Sequence, residues 1–170
     1  MVRTVNSFNG KFYVDHYDVF HRLKGKYIIP NGTTDQGIEA ILDIMFGADS
    51  QITDWYLGLI SSNGYSAVAD GDTPDSHAGW NEFVDYDETD RQVWSPAVAL
   101  NKSVANVSPV EFNINADTHD VVGIFCISEN TKGGAQDGTG DILWATAIFS
   151  AVIDVADGDA FRITYTVSGA

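Results

Sequence analysis

The stretch SHAGWNEFVDYDETDRQVW, residues 76–94, gathers residue types that could carry out catalysis. It combines one histidine, two tryptophans, one arginine and several carboxylates. Two carboxyls at a fixed separation beside aromatic walls would suit glycoside hydrolysis. The acids of residues 85–90, however, crowd into one short polar turn, where solvent screens them and nothing would raise the pKa of a single carboxyl. We therefore expect no acid–base catalysis from this segment.

Other motifs for catalysis or metal binding are absent from the sequence. There is no G-x-S-x-G nucleophile motif and no pair of histidines at zinc-protease spacing. The acidic segments 70–75 and 154–159 resemble parts of calcium loops but lack the full twelve-residue pattern, so a structural calcium ion stays an open alternative. The single Cys126 lies in the apolar run VVGIFCIS, where a buried, inert thiol is expected. We predict no catalytic residue, no cofactor and no metal ligand, and hence no enzyme.

Charge is distributed unevenly along this chain, whose net charge is −15. Residues 28–170 carry four bases against 22 acids, a net of −18, which disfavours nucleic acid as a partner. Residues 1–27 carry two acids and five bases, a net of +3, and the bases are Arg3, Lys11, Arg22, Lys24 and Lys26. Charge alone fits either a segment that docks on an acidic surface or a terminal tail that is merely solubilised. Because residues 1–30 also lack a clear helix or strand pattern, we predict an N-terminal arm over residues 1–32 that gains order by docking.

Membrane insertion and export are not predicted. No apolar run reaches the roughly 18 residues that a membrane helix needs. The first residues, MVRTVNSFNGKFYV, lack the apolar stretch and cleavage site of a secretory signal. We expect a protein that neither crosses a membrane nor is exported.

A single amphipathic helix is predicted over residues 34–46. Thr33 and Gln36 have the spacing of a capping box, and Gly47 suits a helix C-terminus. Between them, apolar residues recur at helical spacing, at Ile38, Ile41, Leu42 and Met45. The helix begins the second predicted unit, a single domain over residues 33–170.

Short strands follow the helix. Strand-like runs occur at residues 55–60, 79–84, 92–95, 111–115, 121–128, 142–154 and 160–168. This number of strands, separated by loops rich in Gly, Asp and Asn, predicts a mainly β protein, an antiparallel β-sandwich or jelly roll. Alternation in the last run predicts that one face lies toward the core, formed by Phe161, Ile163, Tyr165 and Val167.

The order of motifs resembles one family of viral structural proteins. An arm ending in Asn-Gly is followed by GIEAILDIMF, WYLGLI, SHAGW-x-E, YDETDRQVW, VVGIFCIS and GDAFRITYTV. This order resembles the head decoration, or cement, proteins of tailed bacteriophages. The pair SHAGW-x-E and DE-x-x-R-x-x-W is its most specific part, and the likeness extends from about Gly25 to the end of the chain.

The resemblance implies a structural protein on the capsid exterior of a virion, made in the bacterial host cytoplasm. It implies a homotrimer of jelly-roll or related sandwich domains, whose arms clamp neighbouring subunits of the major capsid protein. His77, Trp80 and Glu82 would then begin a strand, residues 85–90 would form a hairpin turn, and Arg91 and Trp94 would begin the return strand. Arg91 would pair with Glu82 or with an acid of the turn.

The main alternative is a phage tail or fibre module that binds a host glycan. Sandwich domains bind sugars through exposed aromatic side chains, and Trp55, Trp80, Trp94 and Trp144 are available. Tryptophans at strand positions are more often core residues. Exposed tryptophans in one groove would favour the glycan alternative.

Overall fold

A computed structural model describes residues 8–47, 49–115, 120–133 and 141–169. These residues form a ten-stranded antiparallel sheet and one helix. The elements are β1 (Phe8–Tyr17), β2 (Leu23–Thr33), α1 (Asp35–Phe46), β3 (Trp55–Ser61), β4 (Glu82–Phe83), β5 (Gln92–Trp94), β6 (Ser103–Ala105), β7 (Val110–Asn113), β8 (Val121–Ile127), β9 (Leu143–Ile153) and β10 (Ala160–Gly169).

The sheet curls so that its two halves face each other. Its strand order is β4-β3-β8-β9-β2-β1-β10-β6, with β5 also paired to β3 and β7 also paired to β10. Strand β2 joins the halves, because most of its length pairs with β1 while Gly32 and Thr33 pair with β9. The prediction of a mainly β, antiparallel protein is confirmed, and the arrangement is consistent with a sandwich. The jelly-roll topology stays a prediction.

The main core fills the space between the two halves. Phe12 stacks on Tyr165 with ring centroids 4.0 Å apart, and Leu57 and Ile124 of the opposite half belong to the same buried cluster. Each such side chain contributes about 1.5–3 kcal/mol when fully buried. The face predicted for the last strand is confirmed, since Phe161 and its alternate neighbours are buried and Val167 packs against the cluster.

In place of the predicted N-terminal arm, the described residues of that segment are part of the sheet. Residues 8–33 form a long hairpin in which β1 lies between β2 and β10, paired along its whole length with β10. Phe12 and Val14 of β1 are core residues. The alternation of β1 is hard to see in the sequence because the polar His16 occupies an inward, buried position. Residues 1–7 lie outside the described residues.

The predicted helix is confirmed, but its cap differs by one residue. Thr34, not Thr33, is the N-cap, and its hydroxyl accepts a hydrogen bond from the Gly37 N–H at 3.0 Å. Gln36 does not reach back to the cap. Its amide donates to the Asp141 carbonyl at 2.9 Å and accepts from the Leu143 N–H at 2.9 Å, which ties the helix to the start of β9.

A second apolar layer covers the outer face of β3 and β8. Trp80, Phe125 and Ile127 belong to this cluster, and Tyr65 and Val68 of the connection between β3 and β4 pack against it. Strand β8 is therefore buried on both faces, and the Cys126 thiol is buried as predicted. In the described part of the chain, no helix is long and apolar enough to cross a membrane.

Candidate functional site

Strands β4 and β5 are two parts of one interrupted edge strand. Glu82 and Phe83 pair with the end of β3, and residues 92–94 pair with its beginning, so both run antiparallel to β3 in one line. Only Gly58 of β3 separates the two paired segments. The predicted hairpin with a turn at residues 85–90 is therefore wrong: residues 84–91 form a loop that leaves the edge and returns to it.

This loop packs against β7 of the other half of the sheet. Tyr86 forms an isolated bridge with Ile114 and is almost fully buried, with its ring edge-on to Phe112. The Glu88 carboxylate accepts hydrogen bonds from the side chain and the backbone N–H of Asn113, at 2.7 and 3.2 Å. The acidic run was expected to be a solvated turn, but it links the two halves of the sheet.

Arg91 returns the loop to the edge strand and is the centre of a buried ion-pair network. Its Nε and Nη2 donate to the two oxygens of Glu82, each at 2.9 Å, and its Nη1 donates to the Glu129 carboxylate at 2.6 Å. A further Nη1 bond reaches the Glu129 carbonyl at 3.0 Å. The Arg91 side chain is 1% exposed and that of Glu82 is 7% exposed. Of the predicted partners of Arg91, Glu82 or an acid of the turn, the structure shows Glu82.

Gly58 leaves space for the Phe125 ring, which lies beneath the ion-pair network. The Phe125 ring lies where a side chain of Gly58 would be, so that a Cβ atom there would clash with the ring. The Arg91 guanidinium lies over the Phe125 ring, 5.3 Å from its centroid. Trp80 packs against the same ring at 5.1 Å. The interruption of the edge strand, the glycine and the buried arginine thus form one structural unit.

His77 and Trp80 form the adjoining wall. The His77 ring stacks on Trp80 with a centroid distance of 4.0 Å, and its Nδ1 lies 3.1 Å from the Trp80 carbonyl oxygen, so that Nδ1 carries the donated proton. The Trp80 indole N–H donates to Asp72 Oδ2 at 2.9 Å. Asp72 also accepts the Ala69 N–H at 2.8 Å, so this carboxylate organises its own loop. Trp80 is a core residue, as expected.

A cavity of about 280 Å³ lies among these residues. His77, Trp80, Glu82 and Arg91 all line it, together with Phe125 and Leu143. Trp94 does not, because it faces the main core and donates its indole N–H to the Tyr165 carbonyl at 3.1 Å. The structure therefore brings four of the five motif residues together and places Trp94 on the other face of the sheet.

Glu82 and Arg91, which line this cavity, bind one another. Both Glu82 oxygens accept bonds from Arg91, and Oε2 also accepts the Gly133 N–H at 2.8 Å. Four of the five N–H donors of Arg91 are used in the bonds described above. These bonds stabilise the fold at this edge of the sheet. Within the described ranges, no group of three or more His, Cys, Asp or Glu side chains is placed to hold a metal ion.

The basic residues predicted for the arm lie on the β1–β2 hairpin, mostly in ion pairs. Arg22 pairs with Asp18 at 2.7 Å, and Lys26 pairs with Asp15 at 2.9 Å. Lys11 is exposed on the outer face of β1. Arg3 lies outside the described residues.

Lys24 is exposed along its length but binds a buried pair, His16 and Asp159, that the sequence does not reveal. Asp159 Oδ2 accepts hydrogen bonds from Lys24 Nζ at 2.6 Å, His16 Nε2 at 2.9 Å and the Ala156 N–H at 3.1 Å. Burial lowers the pKa of His16, although its bond to Asp159 opposes this. Burial alone would raise the pKa of Asp159, but the bonds from Lys24 and His16 outweigh it and the pKa is lowered. His16 and Asp159 are 143 positions apart, so no local pattern predicts their contact.

The tip of the hairpin is an exposed apolar knob on an ordered turn. Phe20 is 73% exposed, and Val19 and Leu23 beside it are also exposed. Asp18 Oδ1 accepts the N–H groups of Phe20 and Arg22, each at 2.9 Å, and the Arg22 guanidinium lies 5.1 Å from the centroid of the Phe20 ring. The knob is therefore preformed rather than ordered on contact.

No protein-family model, no curated protein and no solved structure matches this chain. The function has to be argued from the residues and contacts above.

Proposed function

We propose that this protein is a non-enzymatic structural protein of a phage virion, which decorates the outer surface of the capsid and cements neighbouring subunits of the major capsid protein. The order of sequence motifs that resembles head decoration proteins supports this proposal. So does the role of the most specific motifs, since Glu82 and Arg91 bind one another in the fold. A protein built to hold a shell together needs a stable body and a binding surface, and it needs no reactive groups.

The observation that carries the proposal is the contrast between the hairpin and the rest of the chain. Residues 8–27 carry four bases and two acids, a net of +2, whereas residues 28–170 carry a net of −18. The same hairpin presents the knob of Val19, Phe20 and Leu23. We place the capsid contact on this hairpin, with the knob at its tip as the apolar centre. It replaces the free arm inferred from the sequence.

The glycan-binding alternative lacks the feature that would favour it. Trp80, Trp94 and Trp144 are buried, and Trp55 is half-buried against the main core. None of the four tryptophans is exposed for stacking on a sugar ring. No groove of exposed tryptophans supports a tail or fibre module that binds glycans.

Co-sedimentation with undecorated shells of the phage that encodes this chain tests the proposal. Wild-type protein should bind saturably as a homotrimer, in which the weak contacts of single subunits are multiplied by avidity. Phe20→Ser should reduce binding at least about tenfold, because aromatic anchors near the centre of an interface commonly carry most of the binding energy. Phe46→Ser is the matched control, since Phe46 is 82% exposed but lies on α1, outside the knob. Failure of the wild-type protein to bind would refute the proposal, and equal losses in both variants would refute the placement on the hairpin.

A further inference from the structure

A ribbon at one edge of the sheet is exposed, apolar and almost free of charge. We call residues 95–108 the neutral ribbon. Leu100 and Ser103 exchange two backbone hydrogen bonds, of 2.8 and 3.0 Å, across a two-residue turn. Asn101 and Lys102 in that turn have φ angles of 52° and 60°, which is typical of a tight hairpin. Strand β6 pairs with β10 on its other side, so residues 95–100 are the outermost segment of this half of the sheet.

This outermost segment lacks the usual protection of an edge. Residues 95–100 are all exposed, with Val98 at 93% and Leu100 at 73%. Among the described residues, the backbone N–H groups of Val98 and Ala99 have no hydrogen-bond partner. Natural edge strands are commonly protected by charges, prolines or bulges, and only Pro96 does so here. An exposed apolar edge of this kind is normally covered by another polypeptide.

Charge indicates which polypeptide covers it. Residues 92–110 contain one charged side chain, Lys102, in a chain with a net charge of −15. Two copies of such an acidic body repel one another over most of their surface, and the repulsion is smallest where neither copy presents a carboxylate. A basic partner would instead be drawn to the acidic surfaces. From this we infer that copies of this chain associate with one another through the neutral ribbon.

The inference rests in part on the proposed function, in which the protein acts as an oligomer, but it is tested on the isolated protein. The ribbon has 14 residues, fewer than the roughly 20 that each side contributes to a standard specific interface, so it would form the centre of a small contact. Apolar side chains, with Val98 and Leu100 at the centre, would supply the contact, and the free N–H groups of Val98 and Ala99 would find acceptors on the neighbouring copy.

Sedimentation velocity from micromolar to submillimolar protein is the experiment. The wild-type chain should form a discrete oligomer, and Val98→Asp and Leu100→Asp should each raise the dissociation constant by about 100-fold, because like charges then meet in the contact. Raising NaCl from about 0.1 M to about 1 M shortens the Debye length from about 10 to about 3 Å and should strengthen the association. If opposite charges made the contact, the same rise in NaCl would weaken the association.

Phe46→Asp is the matched control, because it also places an acid at an exposed apolar position but leaves the ribbon intact. Circular dichroism should show that all three variants keep the fold. A wild-type chain that stays monomeric at every concentration and salt would overturn the inference. So would an oligomer that both ribbon variants retain or that salt dissociates. An oligomer that does not bind capsid shells would refute the proposed function and leave this inference intact.

Discussion

Replacing Arg91 with methionine should destabilise this protein more than the loss of any surface ion pair. Methionine keeps much of the length and apolar contact of the side chain but leaves the Glu82 carboxylate, which is 7% exposed, without its cation. The Glu129 carboxylate, 23% exposed, also loses its 2.6 Å partner. Breaking a buried pair by removing one partner costs about 3–5 kcal/mol. For a chain of this size, that loss lowers the melting temperature by about 6–20 °C.

Urea unfolding followed by tryptophan fluorescence measures this loss directly. Arg162→Met is the matched control, because Arg162 binds Glu111 at a similar distance of 2.6 Å but both side chains are solvent-exposed. We expect the control to change stability little. The double variant Arg91→Met, Glu82→Gln should be more stable than Arg91→Met alone, since it removes the stranded charge and keeps an acceptor for the Gly133 N–H. If Arg91→Met is no more destabilising than Arg162→Met, the buried network is not what holds the interrupted edge strand.

Two further predictions concern Gly58 beside the Phe125 ring and His16 beside Asp159. Gly58→Ala should lower the free energy of unfolding in urea by about 1–3 kcal/mol. The new Cβ would displace the Phe125 ring, against which Trp80 packs. Unchanged stability would show that the ring can move. Folding lowers the pKa of His16, so the unfolded chain binds the proton more readily than the folded protein. Stability should therefore fall as pH drops below about 6.5. For this one proton the loss is at most about 1.4 kcal/mol per pH unit. His16→Gln, which keeps a donor for Asp159, should flatten this dependence between about pH 5 and 7, and an identical pH profile for the two proteins would contradict the assignment.

The sequence predicts those helices and strands whose buried face follows from a regular spacing of apolar residues within one segment. The alternation of the last strand and the helical spacing after residue 33 are confirmed because each is a property of one continuous segment. The helix cap was misplaced by one residue because Thr33 and Thr34 are adjacent, and the choice depends on where Gln36 finds partners. It finds them at Asp141 and Leu143, more than a hundred positions away.

Long-range partners explain what the sequence does not predict. The sequence predicts an arm where the structure has the β1–β2 hairpin, because the buried polar His16 interrupts the apolar alternation of β1, and His16 is tolerated there because it binds Asp159. It predicts a hairpin at the edge strand because residues 84–91 have the composition of a turn. An ion pair of Arg91 with Glu82 or with an acid of the turn is nevertheless predicted, because Arg91 is the one base in an acidic stretch, and the structure shows Glu82 as the partner.

The melting temperature of the shell tests most directly whether the protein cements a capsid. Differential scanning calorimetry would compare undecorated shells alone, with wild-type protein, and with Phe20→Ser at equal concentration. Wild-type protein should raise the melting temperature of the shell, and Phe20→Ser should do so only at higher concentration. A shell that binds the wild-type protein but melts at an unchanged temperature would contradict the proposed cementing function.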